Sequence, residues 1–114
     1  MGIKEVEPEI LRSIHGISLE AALLIDRLNK YQFYNQHEED FKEFLAVDLA
    51  DLFYYVEILS KCLELTNDEL SELSKVKLSH FYGVKTEDMT DEKEKMLKEK
   101  YSHIFSKYKH ARPY

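Results

Sequence analysis

The stretch FKEFLAVDLADLFYYVEILSKCLEL, residues 41–65, is the longest apolar run in the chain and carries two acids near its middle. Phe44, Leu45, Val47, Leu49, Leu52, Phe53, Tyr54, Val56, Ile58 and Leu59 fall on all sides of a helix. A helix that is apolar all round is expected inside a bundle. Asp48 and Asp51 stand three residues apart on one face, about 60° from each other. Two ionised carboxylates on a core helix are costly unless a cation, a metal or a set of donors compensates them. That demand is the strongest functional clue in the sequence.

Upstream, Pro8 suits the first turn of a helix, where its missing N–H would have no partner. Gly16 interrupts the pattern, and the sequence leaves open whether it separates two helices or lies within one. From Ile17 to about Tyr34 an amphipathic segment carries Leu19, Ala22, Leu23, Ile25, Leu28 and Phe33, with Ser18 as a candidate N-cap. Asn35-Gln36-His37 reads as a polar break, and Glu38, Glu39 and Asp40 give the next helix the negative first turn its dipole favours.

Downstream, Thr66 to Glu69 has the spacing of a capping box, and Gly83 suits a left-handed helix end near Tyr82. A polar connector over 84–91 leads to helical periodicity over 91–109, with a stripe of Leu97, Tyr101, Ile104, Phe105 and Tyr108. This C-terminal extension, 84–114, reads either as an arm gripping a partner subunit or as a fourth helix on its own bundle. The tail from His110 is expected to fray.

The chain of 114 residues is expected to form one domain over 1–114, in a size range where oligomerisation often adds to the core. Only 3 Gly and 2 Pro, and no alternating strand pattern, predict an all-α fold. The expected architecture is an antiparallel bundle of three core helices plus the C-terminal amphipathic helix, completed by oligomerisation. A net charge of −6 gives no electrostatic footprint for nonspecific nucleic-acid binding. The single cysteine, Cys62, cannot form an intramolecular disulfide and reads as a small core residue. With no signal peptide and no membrane span, a cytoplasmic protein is expected. The 8 Tyr and 6 Phe serve core packing for the most part, with a surplus that can mark subunit contacts.

Glu20 is the other acid on an otherwise apolar helical face, and two antiparallel helices would bring it opposite Asp48 and Asp51. Three carboxylates meeting inside a bundle form an oxygen-rich site suited to Mg²⁺ or Mn²⁺. Acids three apart are common on helices, however, and each of these can equally pair with a base or face solvent.

The order of segments resembles the MazG-like all-α nucleotide pyrophosphohydrolases, a superfamily that includes dimeric dUTPases and phosphoribosyl-ATP pyrophosphatase. The family's Gly-x-x-x-Glu-x-x-Glu-x-x-Asp helix is matched by Gly16-Ile-Ser-Leu-Glu20-Ala-Ala-Leu23-Leu-Ile-Asp26, and its Glu-x-x-Asp helix by Asp48-Leu-Ala-Asp51 and the aromatic run behind it. Residues 24–47 lie between Leu23 and Asp48, a separation the family allows. Glu72-Leu-Ser74-Lys-Val-Lys77-Leu is similar to the family's Asn-x-x-Lys-Leu, with Ser74 in the Asn position. The resemblance covers about 16–82, and the family's second Glu is Leu23 here.

It implies cleavage of a nucleoside triphosphate to the monophosphate and pyrophosphate with Mg²⁺ (or Mn²⁺), at a site built from paired subunits of a homodimer or homotetramer. Glu20, Asp48 and Asp51 would hold metal, and Lys77, with Ser74 and Lys30, would bind the nucleotide. Arg27 and Lys42 are weaker phosphate candidates, and Phe33, Tyr34 and Tyr55 are candidates for base stacking, although core packing suits all three aromatics better. Two readings stay open. One is a pyrophosphohydrolase with a reduced acidic site. The other is a catalytically inactive member, a pseudoenzyme that binds a nucleotide or a protein partner.

Overall fold

The structure, a computed structural model, describes residues 2–34 and 37–111. Asn35 and Gln36 of the expected polar break, and the tail beyond Ala111, lie outside the described residues. Five helices follow in order: α1 (Pro8–Phe33), α2 (Glu38–Cys62), α3 (Asn67–Tyr82), α4 (Asp91–Lys100) and α5 (Ser102–Ala111). The fold is all-α, and no described helix is long and apolar enough to cross a membrane. The chain divides into two compact units, Met1–Leu65 and Thr66–Tyr114, so α3 belongs to the second.

The first unit is a hairpin in which α1 packs along α2. Contacts pair Tyr31 with Phe41, Arg27 with Asp48, Gly16 with Tyr55 and Glu9 with Cys62, so the helices run antiparallel. In α1 low exposure recurs at Ile10, Ser13, Ile17, Glu20, Leu24, Arg27 and Tyr31, with buried Gly16 beside this series. In α2 it recurs at Phe41, Leu45, Asp48, Leu52, Tyr55, Leu59 and Cys62, with buried Ser60 beside this series. Both sets alternate steps of three and four, the seam of a coiled coil. Helix α1 runs unbroken through Gly16, so Ser18 is a mid-helix residue and not the N-cap the sequence suggested. Glycine is needed at 16 for a different reason: a Cβ there would meet the Tyr55 ring at 2.5 Å.

Four residues of this hairpin are buried, Ser13, Gly16, Asp48 and Ser60, and none is a large apolar residue. The buried hydroxyls are satisfied locally, Ser13 donating to the Glu9 carbonyl at 2.7 Å and Ser60 to the Val56 carbonyl at 2.8 Å. The hairpin by itself does not enclose the all-round apolar helix: Phe44, Val47, Leu49, Phe53 and Tyr54 of α2 are exposed.

Helix α2 ends one turn earlier than Leu65, with Glu64 in the left-handed region at φ 59° and the Leu65 N–H on the Ser60 carbonyl. The expected capping box then opens α3: Thr66 Oγ1 accepts from the Glu69 N–H at 3.1 Å, and the Thr66 N–H donates to Glu69 Oε1 at 3.2 Å. Gly83, at φ 67°, closes it.

The second unit holds every buried large apolar side chain among the described residues: Val76, Met89, Leu97, Tyr101 and Phe105, with Leu73 and Phe81 against them. The expected stripe over 97–105 thus folds onto α3, except that Ile104 is exposed. The segment is two helices instead of one, broken at buried Tyr101, whose hydroxyl reaches Glu72 Oε1 at 3.2 Å. The connector contributes Met89 to the core and Thr90 as the cap of α4, accepting from the Lys93 N–H at 3.1 Å.

Ion pairs fasten the rim of this unit. Glu94 takes Lys98 at 2.7 Å on Oε1, and the Lys85 ammonium stands 3.0 Å from Oε2 in ion-pair contact outside hydrogen-bond geometry. Lys98 first, then Lys85, hold the Glu94 carboxyl down at about 2. Lys75 and Thr86 hold Asp88 below the usual carboxylate range in the same way. A carboxyl depressed on folding contributes stability that is complete above its ordinary value and is lost as pH falls through the folded one. Acid should therefore erode this unit between pH 4.5 and about 2. Glu94→Gln should flatten that acid limb in circular-dichroism titrations, and an unchanged limb would show that the pairs contribute nothing.

Candidate functional site

The expected acidic constellation lies on the hairpin, where the antiparallel register brings Glu20 level with Asp51, one turn from Asp48. The three carboxylates differ in setting. Asp48 lies in the seam, Glu20 is half-buried with its Oε2 enclosed and without a hydrogen-bond partner, and Asp51 is exposed. Asp48 is claimed from across the seam: Arg27 Nε donates to its Oδ2 at 2.8 Å and Nη2 to its Oδ1 at 3.5 Å. Side-chain exposures of 23% for Arg27 and 12% for Asp48 make this the most enclosed ion pair of the hairpin. Asp48 pushes the Arg27 guanidinium further into its charged form, and the centre of the Phe44 ring lies 5.1 Å from the cation.

Among the described residues no group of three or more His, Cys, Asp or Glu is placed to hold a metal ion. The donors present do not fit a divalent cation in this arrangement. A guanidinium already neutralises Asp48, and Leu23 presents an exposed hydrocarbon where the motif has its second Glu. The enclosed Glu20 Oε2 is the one feature that favours a cation.

The expected nucleotide contacts are distributed over both units. Lys30 pairs with Asp26 at 3.1 Å, and Lys42 with Glu38 at 3.2 Å, each one turn away on its own helix. Lys77 lies on α3 in the second unit, its ammonium 5.1 Å from the centre of the Tyr108 ring, and Ser74 is exposed on the same helix. Phe33 and Tyr34 are exposed, while Tyr55 is half-buried beneath Gly16. Every basic candidate named from the sequence thus has an intramolecular partner. Cys62 is half-exposed, and burial followed by the Glu9 carboxylate raises its thiol pKa, which lowers its nucleophilicity.

No protein-family model, curated protein or solved structure matches this chain.

Reasoning from sequence named Arg27 only as a weak phosphate ligand. The signal for its role is the seam: Arg27 and Asp48 occupy step positions of the two heptad-like patterns, which become visible only when the register is known. The same register divides the exposed apolar residues between two sides of the hairpin. Reversing a helix mirrors its wheel, so residues turned in the same sense from the two seams share a side. One side carries Leu23, Phe44, Val47, Asp51, Tyr54 and Ile58; Arg27 over Phe44, and a groove lined by Arg12, Tyr54, Ile58 and Lys61, lie there. The other side carries Ile14, Ala21, Ile25 and Leu28 of α1. Beside them an apolar groove on α2 is lined by Ala46, Leu49, Ala50, Leu52, Phe53 and Val56.

Breaking the Arg27–Asp48 pair from either end should cost more than removing both charges together. Arg27→Met leaves a carboxylate in the seam without its cation, whereas Arg27→Met with Asp48→Leu replaces the pair by hydrocarbon. Thermal melts should place the double variant above both singles; a double variant that melts as low as the sum of the singles predicts would show that the pair is not coupled.

Proposed function

We propose that the chain is a catalytically inactive helical protein of the MazG-like type that serves as a protein-interaction module. The observation that carries this reading is the Arg27 guanidinium on Asp48, which supplies internally the positive charge that a metal would bring. The exposed Leu23 adds to it, because hydrocarbon offers no oxygen to an ion. The apolar surface on both sides of the hairpin supports association, since a two-helix unit with no buried large apolar residue gains too little from its own core. Assembly of such hairpins gives the antiparallel bundle completed by oligomerisation, and one unpaired cysteine suits a cytoplasmic setting.

The second reading, a Mg²⁺-dependent pyrophosphohydrolase with a reduced site, is favoured by the enclosed and unpartnered Glu20 Oε2. In that case Glu20, Asp48 and Asp51 would be the metal ligands, and Lys77, Ser74 and Lys30 would contact the nucleotide. Pyrophosphate release from a panel of nucleoside triphosphates, with Mg²⁺ or Mn²⁺, separates the two. The inactive reading expects none above the rate without protein. Release that depends on the metal and disappears in Asp51→Asn would overturn it and establish the hydrolase.

A further inference from the structure

We infer that the side of the hairpin bearing Ile25, Leu28, Leu49 and Phe53 is an interface for a second copy of this chain, and that the side bearing Asp51 stays outside it. This deepens the reading of the chain as an interaction module and rests on it. Ile25, Leu28, Leu49 and Phe53 are all exposed, with Leu49 at 55%.

The occupant follows from charge and shape. Across this side, from Ile14 to Leu28 on α1 and from Ala46 to Val56 on α2, no residue turned outward carries a charge. The chain has a net charge of −6, so two copies repel through most of their surface and meet without that penalty only through a face of this kind. A two-fold interface must be complementary to itself, and an uncharged apolar strip is so by nature. Small Ala46 and Ala50 beside large Leu49 and Phe53 make a groove that can receive the same large residues from the other copy.

The extent comes close to what a specific interface needs. At 1.5 Å rise per residue and about 10 Å per helix, the face projects to roughly 20 Å by 20 Å. Its accessible area exceeds that projection because side chains give it relief. Two copies together then approach the roughly 1,200 Å² at which specific interfaces begin. The opposite side mixes Phe44 and Val47 with Asp51 and Arg12, charges that burial in a self-paired interface would strip of water at a cost.

Leu49 and Val47 give a matched test, two residues apart on α2, exposed at 55% and 60%, on opposite sides. Sedimentation velocity of the full chain at micromolar concentration should give twice the chain mass. Leu49→Lys should reduce it to the mass of one chain, and Val47→Lys should leave it doubled. If Leu49→Lys fails to fold, Leu49→Cys and Val47→Cys in a Cys62→Ser background replace it. Mild oxidation should then yield a covalent dimer from Leu49→Cys in at least tenfold excess over Val47→Cys. A parent that sediments as one chain, or cross-linking that favours Val47→Cys, overturns the inference. Pyrophosphate release measured on the same preparations keeps the two ideas apart. A dimer that hydrolyses nucleotide supports this interface while overturning the inactive reading; a monomer that hydrolyses none overturns the interface alone.

Discussion

Leu97→Ala is expected to destabilise the second unit by about 2–5 kcal/mol, the cost of removing a buried leucine side chain together with the cavity it leaves. Leu97 is 1% exposed, at the centre of a core that also contains fully buried Val76. The unit is small, and its core of Val76, Met89, Leu97, Tyr101 and Phe105 has few neighbours able to collapse into a void. The loss should therefore fall toward the upper part of that range. Ile104→Ala provides the comparison, because Ile104 stands 38% exposed further along the same stripe and should cost much less. Urea unfolding followed by helical circular dichroism distinguishes them. Equal losses at Leu97 and Ile104 would mean that this core does not hold the unit together.

What was legible in the sequence was local. Thr66 and Glu69 announce a helix start because the hydrogen bonds they make span three residues, and Gly83 announces an end because left-handed backbone favours glycine. The stripe at Leu97, Tyr101 and Phe105 was legible for a similar reason, since helical periodicity alone places these residues on one face. Its break at Tyr101 was not, because the helical periodicity runs through residue 101 without a Gly, a Pro or any other local stop signal.

The seam of the hairpin was hidden by its own chemistry. Apolar residues normally mark the inward face of a helix, and most seam positions here are apolar, but Ser13, Glu20, Arg27 and Asp48 interrupt the seam while Leu19, Leu23, Ile25, Val47 and Leu49 face out, so apolarity does not single the seam out. A reading led by hydrophobicity recognises that Asp48 needs compensation and still looks for a metal. The compensating group is Arg27, 21 residues earlier in the chain, and only the register of two antiparallel helices identifies it. Glu20 and Asp51 come to one level by that register, but they face differently, and spacing along one helix carries no information about that.

Gly16 raises the same issue, since sequence could not decide between a helix break and a helix interior, and it gives the second large prediction. On helix propensity alone, Gly16→Ala should stabilise α1 by about 1 kcal/mol, because alanine loses less backbone freedom on folding. Packing argues the other way. The added Cβ would lie 2.5 Å from Tyr55 Cδ1 and 2.6 Å from Cε1 and Cγ, distances that demand movement. The contact falls on the body of a rigid ring and not on the end of a flexible chain, so relief requires the ring to leave its place or the two helices to separate. Overpacking of this kind costs about 1–3 kcal/mol, which offsets the propensity gain and leaves the hairpin less stable. Shortening the opposing side chain should reverse the sign: Gly16→Ala combined with Tyr55→Leu removes the ring atoms while keeping an apolar residue in the seam. The double variant should thus unfold at a higher urea concentration than Gly16→Ala alone. A parent stabilised by Gly16→Ala would mean that α1 and α2 separate freely at this level, and that their close approach at Gly16 does not fix the register that joins Arg27 to Asp48.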